Sequence, residues 1–209
     1  KPVITANNQN YTFDAVLYAT GRKANTANIG LEHTDIATNE RGAIVVNDTC
    51  ESSVPGVYAV GDVNGGPQFT YISLDDFRIV FGALTGNSQY TLKDRKNIPY
   101  TTFLTPPLSR VGLTEEDAIN QGYTVKTKEM LVATMPRAHV NDYLKGAFKI
   151  VVDADNDLIL GATLYSQGAE ELINLIKMAM DNNIPYTYFK NQIFTHPTMA
   201  ENLNDLCNF

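Results

Sequence analysis

The sequence predicts an α+β fold in which helices pack on an antiparallel sheet. Three strand-like runs follow one another closely: Val125–Thr134, Ala147–Val152 and Leu158–Tyr165. The acidic turn Asp153–Asp157 joins the last two, and so short a connection favours antiparallel pairing. The apolar residues of Glu170–Met180 then recur over more than one face of a predicted helix.

The first 90 residues carry shorter predicted elements. Val3–Thr5 and Tyr11–Thr12 have strand-like composition and flank a turn rich in asparagine. Short buried strands are expected at Ala15–Ala19, Ile44–Val46 and Val57–Val60. A helix is expected over Ile72–Leu84, with its apolar residues on the face formed by Leu74, Phe77, Val80, Phe81 and Leu84.

A polar stretch of mixed charge, Gly86–Pro99, contains the linker, which we set at residues 91–99. Thr101–Leu104 and Ser109–Gly112 are the next predicted strands. The helix Glu115–Gln121 then follows, because Thr114 is a good N-cap and acidic residues occupy the first turn.

Composition excludes several classes of function. The net charge of −7 argues against binding to nucleic acid or to an anionic membrane surface, since both need clustered Lys and Arg. No stretch has the length and hydrophobicity of a membrane span. The two cysteines, Cys50 and Cys207, lie too far apart to form a metal or redox motif, and we expect reduced thiols in a cytoplasmic protein.

A candidate acid–base pair lies near the end of the chain. His196 and Glu201 are five residues apart, so the carboxylate is placed to orient the imidazole as a general base. Pro197 suits the first turn of a helix, which predicts that Glu201 lies about one turn inside that helix. A purely structural histidine at a helix start is the alternative.

Two predicted strands end in glycine, at Gly21 and at Gly61. Glycine at a strand end allows a backbone or a ligand to approach closely. Asp62 directly follows the second glycine, where its carboxylate is placed to accept hydrogen bonds from sugar hydroxyls. An ordinary exit from a strand into a turn is the alternative for Gly61 and Asp62.

Four motifs occur in a defined order: Ala19-Thr20-Gly21-Arg22, Tyr58-Ala59-Val60-Gly61-Asp62, Val111-Gly112-Leu113-Thr114-Glu115 and His196-Pro197-Thr198 with Glu201. Together they resemble the C-terminal half of the pyridine nucleotide-disulfide oxidoreductases, the family of glutathione reductase, dihydrolipoamide dehydrogenase and mercuric reductase. The resemblance extends over essentially all 209 residues. It implies FAD and NAD(P)H as cofactors of the full-length protein.

The resemblance also implies that the chain is a fragment. The family's flavin-binding Gly-x-Gly-x-x-Gly turn and its Cys-x-x-x-x-Cys pair are absent from this sequence, which opens at Lys1. Residues 1–90 would be the incomplete end of the nicotinamide-binding domain and the return to the FAD-binding domain. Residues 100–209 would be the dimerisation domain, and the fragment alone is expected to be inactive and to bind neither cofactor.

The family assigns roles to the residues singled out above. His196 would act on thiols of the partner subunit, and Glu201 would hold its tautomer. Asp62 would bind the ribityl chain of FAD, while Gly61, like Gly21, would leave room for the cofactor.

The start of the predicted helix at Ile72–Leu84 receives a role as well. The backbone N–H groups of Phe69, Thr70 and Tyr71 would lie beside the flavin ring, where a helix dipole stabilises negative charge. An ordinary amphipathic helix explains the same pattern.

The expected protein is therefore a homodimeric reductase that passes electrons from NAD(P)H through FAD and a cysteine pair to a small-molecule or protein disulfide. A flavin reductase acting on metal ions or reactive oxidants is one alternative, and a non-catalytic dimerisation module is another. No metal site is expected. The surplus apolar residues of Glu170–Met180 are expected at the dimer seam, or under the segment Tyr186–Phe194.

Overall fold

The computed structural model describes residues 1–209 as two units, Lys1–Leu92 and Lys93–Phe209. The first unit contains the strands β1 (Val3–Ala6) and β2 (Gln9–Thr12) and the helix α1 (Thr70–Leu84). It also contains 3₁₀ turns at Leu31–His33 and Gly61–Asn64, and a third turn, Leu92–Asp94, begins at its last residue.

The hairpin β1–β2 confirms the first predicted pair of strands. The strands pair antiparallel through the turn residues Asn7 and Asn8, whose φ angles are 52° and 61°. Asparagine tolerates this left-handed conformation better than most residues, and two such residues in succession match the right-handed twist of a hairpin.

The predicted strand Ala15–Ala19 is wrong. This segment is not paired with another strand, and Leu17 and Tyr18 are 89% and 85% exposed. Ile44–Val46 and Val57–Val60 contain only isolated bridges rather than strands. An apolar run becomes a strand only when a neighbouring strand pairs with it over several residues; Ala15–Ala19 has no such neighbour in this unit, and the other two segments have only single bridges.

Helix α1 confirms the predicted helix, and most of the apolar residues that indicated it are exposed within this unit. Leu74, Phe77, Phe81 and Leu84 are each at least 44% exposed. The buried positions are instead Ile72, Asp76 and Ile79, which lie on another stripe of the helix. The helical period therefore predicted the helix correctly, while the residues that pack within this unit lie on a different stripe.

The second unit is a five-stranded antiparallel sheet with helices. Its strands are β3 (Tyr100–Thr102), β4 (Leu108–Gly112), β5 (Val125–Leu131), β6 (Ala147–Asp153) and β7 (Ile159–Tyr165), in the spatial order β3-β4-β7-β6-β5. Its helices are α2 (Glu115–Asn120), α3 (Pro136–Val140), α4 (Ala169–Asp181), α5 (Tyr186–Asn191) and α6 (Asn202–Leu206), and a 3₁₀ turn covers Val132–Thr134. This arrangement confirms the predicted α+β class.

Local signals explain two of these elements. Thr114 caps α2 and accepts a hydrogen bond from the Asp117 N–H, while the Asp117 carboxylate accepts one from the Thr114 N–H. This reciprocal pair is a capping box. In the turn after β6, Asp153 accepts hydrogen bonds from the Asp155 N–H and the Asn156 amide.

Helix α4 packs on β4 and β7, and this contact buries Leu172, Ile173, Ile176 and Ala179. Among its predicted surplus apolar residues, only Met178 is more than half exposed. Its own unit covers most of the apolar surface of this helix, so the composition of the helix does not by itself require a second subunit. None of the helices is both long and apolar enough to span a bilayer.

Candidate functional site

The histidine and the glutamate near the end of the chain contact each other directly. His196 Nδ1 lies 2.9 Å from Glu201 Oε2. A carboxylate only accepts hydrogen bonds, so Nδ1 carries the ring proton and donates a hydrogen bond to Glu201. This contact leaves Nε2 as the nitrogen with a lone pair in the neutral ring.

The two side chains differ in exposure. The imidazole is 72% exposed, whereas the carboxylate is 16% exposed. The second oxygen of Glu201, Oε1, is buried and has no hydrogen-bond partner. The carboxylate therefore has little freedom to turn towards water, and the ring that it holds is mostly exposed to solvent.

The local backbone corrects the sequence prediction for this segment. Helix α6 begins at Asn202, so Glu201 is its N-cap rather than a residue one turn inside it. Pro197 lies in the bend before the helix, not in its first turn. In that bend the Thr198 hydroxyl donates to the Thr195 carbonyl and accepts from the Glu201 N–H.

A second cluster lies within the first unit and contains Asp62. The Arg22 guanidinium donates to Asp62 Oδ2 at 3.1 Å and to the Gln68 carbonyl at 3.0 Å. These three residues, with Lys23 and Arg41, line an open groove of about 690 Å³. Asp62 is half exposed on this groove. Arg22, which directly follows the predicted site residue Gly21, was not among the residues predicted from the sequence to have a role.

Gly61 makes a close contact within its own unit. Its φ is 74°, and a Cβ at this position would lie 2.9 Å from the Ser73 hydroxyl of α1. Its N–H donates to Asp76 Oδ2 at 2.7 Å, and the Asn64 amide donates to the same oxygen at 2.9 Å. Asp76 is fully buried and was not among the residues predicted from the sequence. An acid between the buried Ile72 and Ile79 was the available signal.

The three residues at the start of α1 that are predicted to face a flavin differ in the environment of their backbone N–H groups. The Phe69 N–H donates to the Pro67 carbonyl, so that group is already engaged within the chain. Thr70 and Tyr71 are the first two residues of the helix. The first N–H groups of a helix have no acceptor in the helix itself, and they point along its positive end.

Gly21 has a φ of 98°, and no heavy atom lies within 4 Å of the position that a Cβ would occupy. Its left-handed backbone favours glycine, but the chain itself does not crowd it. The first unit thus brings Arg22, Asp62 and Gln68 together, whereas His196 and Glu201 form their contact in the second unit.

The two cysteines do not form a reactive centre. Cys50 and Cys207 are both fully buried. Burial raises the pKa of the Cys207 thiol to about 12, which strongly disfavours the nucleophilic thiolate at neutral pH. Over residues 1–209 there is also no group of three or more His, Cys, Asp or Glu side chains that could hold a metal ion.

Comparison with known proteins identifies relatives for both units. The sequence model of the pyridine nucleotide-disulphide oxidoreductase dimerisation domain matches residues 98–207, and a second model of pyridine nucleotide-disulphide oxidoreductases matches residues 1–76. The probable pyridine nucleotide-disulfide oxidoreductase RclA of Escherichia coli is 49% identical over 193 residues, which are 92% of this chain and 44% of RclA. Mercuric reductase of Staphylococcus aureus is 35% identical over 91% of this chain and 35% of its own length.

Solved structures agree with the sequence comparison. The HOCl-induced flavoprotein disulfide reductase RclA from Escherichia coli matches with a TM-score of 0.93 and 45% identity, over 98% of this chain and 47% of that chain. A Cu(II) complex of the same reductase also matches with a TM-score of 0.93 and 45% identity, over 98% of this chain and 46% of that one. The chain spans less than half the length of these relatives. On these grounds the chain belongs to the pyridine nucleotide-disulphide oxidoreductase family.

Proposed function

We propose that this chain is the C-terminal part of a homodimeric NAD(P)H-dependent flavoprotein reductase whose His196–Glu201 pair moves protons during thiol–disulfide exchange. The observation that carries the proposal is the 2.9 Å contact between His196 Nδ1 and Glu201 Oε2, with the ring exposed and the carboxylate largely buried. A stability role alone does not require an exposed imidazole to be oriented in this way.

In the proposed reaction His196 works through Nε2. The neutral nitrogen takes the proton from an attacking thiol, and the resulting imidazolium stabilises the thiolate by ion pairing. The thiolate then attacks the disulfide, and Nε2 returns its proton to the departing sulfur. Throughout these steps Glu201 keeps Nδ1 protonated and holds the ring plane. The redox cysteines would come from a segment outside this chain, since Cys50 and Cys207 are buried.

The first unit offers groups that fit part of an FAD. Asp62 presents a half-exposed carboxylate beside the groove, which suits the hydroxyls of a ribityl chain, and Arg22 fixes one of its oxygens. The N–H groups at Thr70 and Tyr71 suit negative charge on a flavin ring, whereas the N–H of Phe69 is already used. A flavin bound there would supply two-electron transfer from the nicotinamide cofactor to the cysteine pair.

The domain assignment follows from the same proposal. Residues 1–90 would complete the nicotinamide- and FAD-binding domains, residues 91–99 would link them to the rest, and residues 100–209 would form the dimer. The matches at residues 1–76 and 98–207 support this division. The isolated chain would be inactive, because the flavin-binding turn and the cysteine pair lie elsewhere.

Two relatives favour a second candidate substrate class, metal ions. Mercuric reductase is named for a metal ion that it reduces, and RclA has been solved as a complex with Cu(II). Under this alternative the same electron path would end on a bound cation rather than on a disulfide, and His196 would have no exchanging thiol to serve.

An anaerobic titration of the full-length protein with NADH and with NADPH tests the proposal. A long-wavelength absorption band from a thiolate next to the flavin supports a cysteine pair and the proposed role of His196. Bleaching of the flavin without this band favours direct reduction of metal ions or oxidants. Absence of flavin from the purified protein would contradict both candidates and favour a non-catalytic dimerisation module.

A further inference from the structure

The segment between His196 and α6 is held by the side chain of Asn202. Asn202, the first residue of α6, is 2% exposed. Its amide Nδ2 donates to the Thr198 carbonyl at 3.2 Å and to the Met199 carbonyl at 3.1 Å. One buried side chain therefore satisfies two carbonyls of the turn that carries Glu201.

These hydrogen bonds hold the turn that leads into Glu201, the residue before Asn202. The turn from Thr198 to Glu201 closes through the Thr198 hydroxyl, which accepts from the Glu201 N–H at 3.2 Å. Without the Asn202 side chain, the Thr198 carbonyl loses this donor and the Met199 carbonyl keeps only the Asn202 backbone N–H at 3.4 Å, so the segment is less firmly held. Movement of this segment changes the direction of the Glu201 side chain, and with it the hydrogen bond to His196 Nδ1.

We propose that Asn202 is a positioning residue that holds Glu201 where it selects the Nδ1–H tautomer of His196. Asn202 touches neither the imidazole nor the Glu201 carboxylate in a hydrogen bond, so it acts only through the turn. The proposal rests on the proposed function for its catalytic consequence, but not for its structural one. The tautomer is a property of the 209-residue chain that can be measured without turnover.

The test is ¹⁵N NMR of the histidine rings in the 209-residue chain, with the His196 signals assigned from His196→Gln. In Asn202→Ala the ratio of Nδ1–H to Nε2–H tautomer is expected to fall about tenfold, since a charge-assisted hydrogen bond loses its geometry. Asn202→Ser keeps a donor for the carbonyl four residues earlier and should restore part of the ratio. The matched control Asn174→Ala removes an equivalent exposed bond to the Glu170 carbonyl and should leave the ratio unchanged.

An unchanged tautomer ratio in a folded Asn202→Ala chain would overturn the proposal. The His139 ring, whose Nε2 contacts the Ala133 carbonyl in the same unit, reports whether the variant is folded. If the variant does not fold, the unsubstituted chain still decides. The side-chain amide protons of Asn202 must exchange with solvent at least about tenfold more slowly than those of Asn174. Equal exchange rates would refute the two buried hydrogen bonds of Asn202.

Turnover of the full-length enzyme separates this proposal from the proposed function. A shifted tautomer together with a fall of about tenfold in kcat for the disulfide, at unchanged KM for the nicotinamide cofactor, supports both. A shifted tautomer with unchanged kcat supports the positioning role of Asn202 and contradicts the catalytic role of His196.

Discussion

Replacement of Gly61 by alanine tests whether the turn before Asp62 is shaped by its contact with α1. The φ of 74° at Gly61 costs an L-residue about 1–2 kcal/mol. The added methyl would also lie 2.9 Å from Ser73 Oγ and 3.3 Å from Ser73 Cβ, and such overpacking costs about 1–3 kcal/mol. We therefore expect Gly61→Ala to lower the free energy of opening of this region by about 2–5 kcal/mol.

The measurement is native-state hydrogen exchange of the segment 57–76 in the 209-residue chain. Gly56→Ala is a matched control, because Gly56 has a similar φ of 79° with no heavy atom near its Cβ position. The control variant measures the free-energy cost of the positive φ alone. The double variant Gly61→Ala with Ser73→Ala measures how much of the remaining cost comes from the clash with the Ser73 hydroxyl. The reasoning is refuted if Gly61→Ala costs no more than Gly56→Ala, or if Ser73→Ala recovers none of the difference.

Three further predictions follow from the described contacts. Because Cys50 and Cys207 are buried and burial raises the pKa of Cys207 to about 12, a thiol reagent at mildly alkaline pH should label neither residue before unfolding and both after it; rapid labelling of the native chain would contradict this. Hydrogen bonds from Thr114 and from Asn156 lower the pKa values of Asp117 and Asp153, respectively, below the usual 3.8. Their contribution to stability is thus present above about pH 4 and lost as pH falls through the lowered values, and a free energy of unfolding that stays constant during acidification would count against it. Gly161→Ala should lower the free energy of unfolding by at least about 3 kcal/mol, because the new methyl would overlap the Leu113 carbonyl; an unchanged melting temperature would contradict this.

The sequence predicted the second unit far better than the first, for a physical reason. The strands β6 and β7 pair with each other and with neighbours from the same unit, so their apolar patterns match what they bury. Ala15–Ala19 has an equally apolar pattern but no partner strand among residues 1–209. A strand depends on groups outside itself, and its own composition does not reveal whether they are present.

The site shows the same distinction between local and non-local information. The contact between His196 and Glu201 spans five residues, so spacing alone suggested it, although the start of α6 was misplaced. The partners of Gly61 and Asp62 lie up to 40 residues away, at Asp76 and Arg22. Only the folded chain brings these groups together, and no periodic signal marks them in the sequence.

The most direct test of the central claim is the rate of disulfide reduction by the full-length enzyme carrying His196→Gln, measured beside His33→Gln. His33 is an exposed histidine far along the chain from this pair and is assigned no role. The proposed acid–base role predicts that His196→Gln slows disulfide reduction by about a hundredfold to ten-thousandfold while reduction of the enzyme by NAD(P)H stays unchanged. Equal rates for the two variants would contradict the assignment of His196 and Glu201 as the proton-transferring pair.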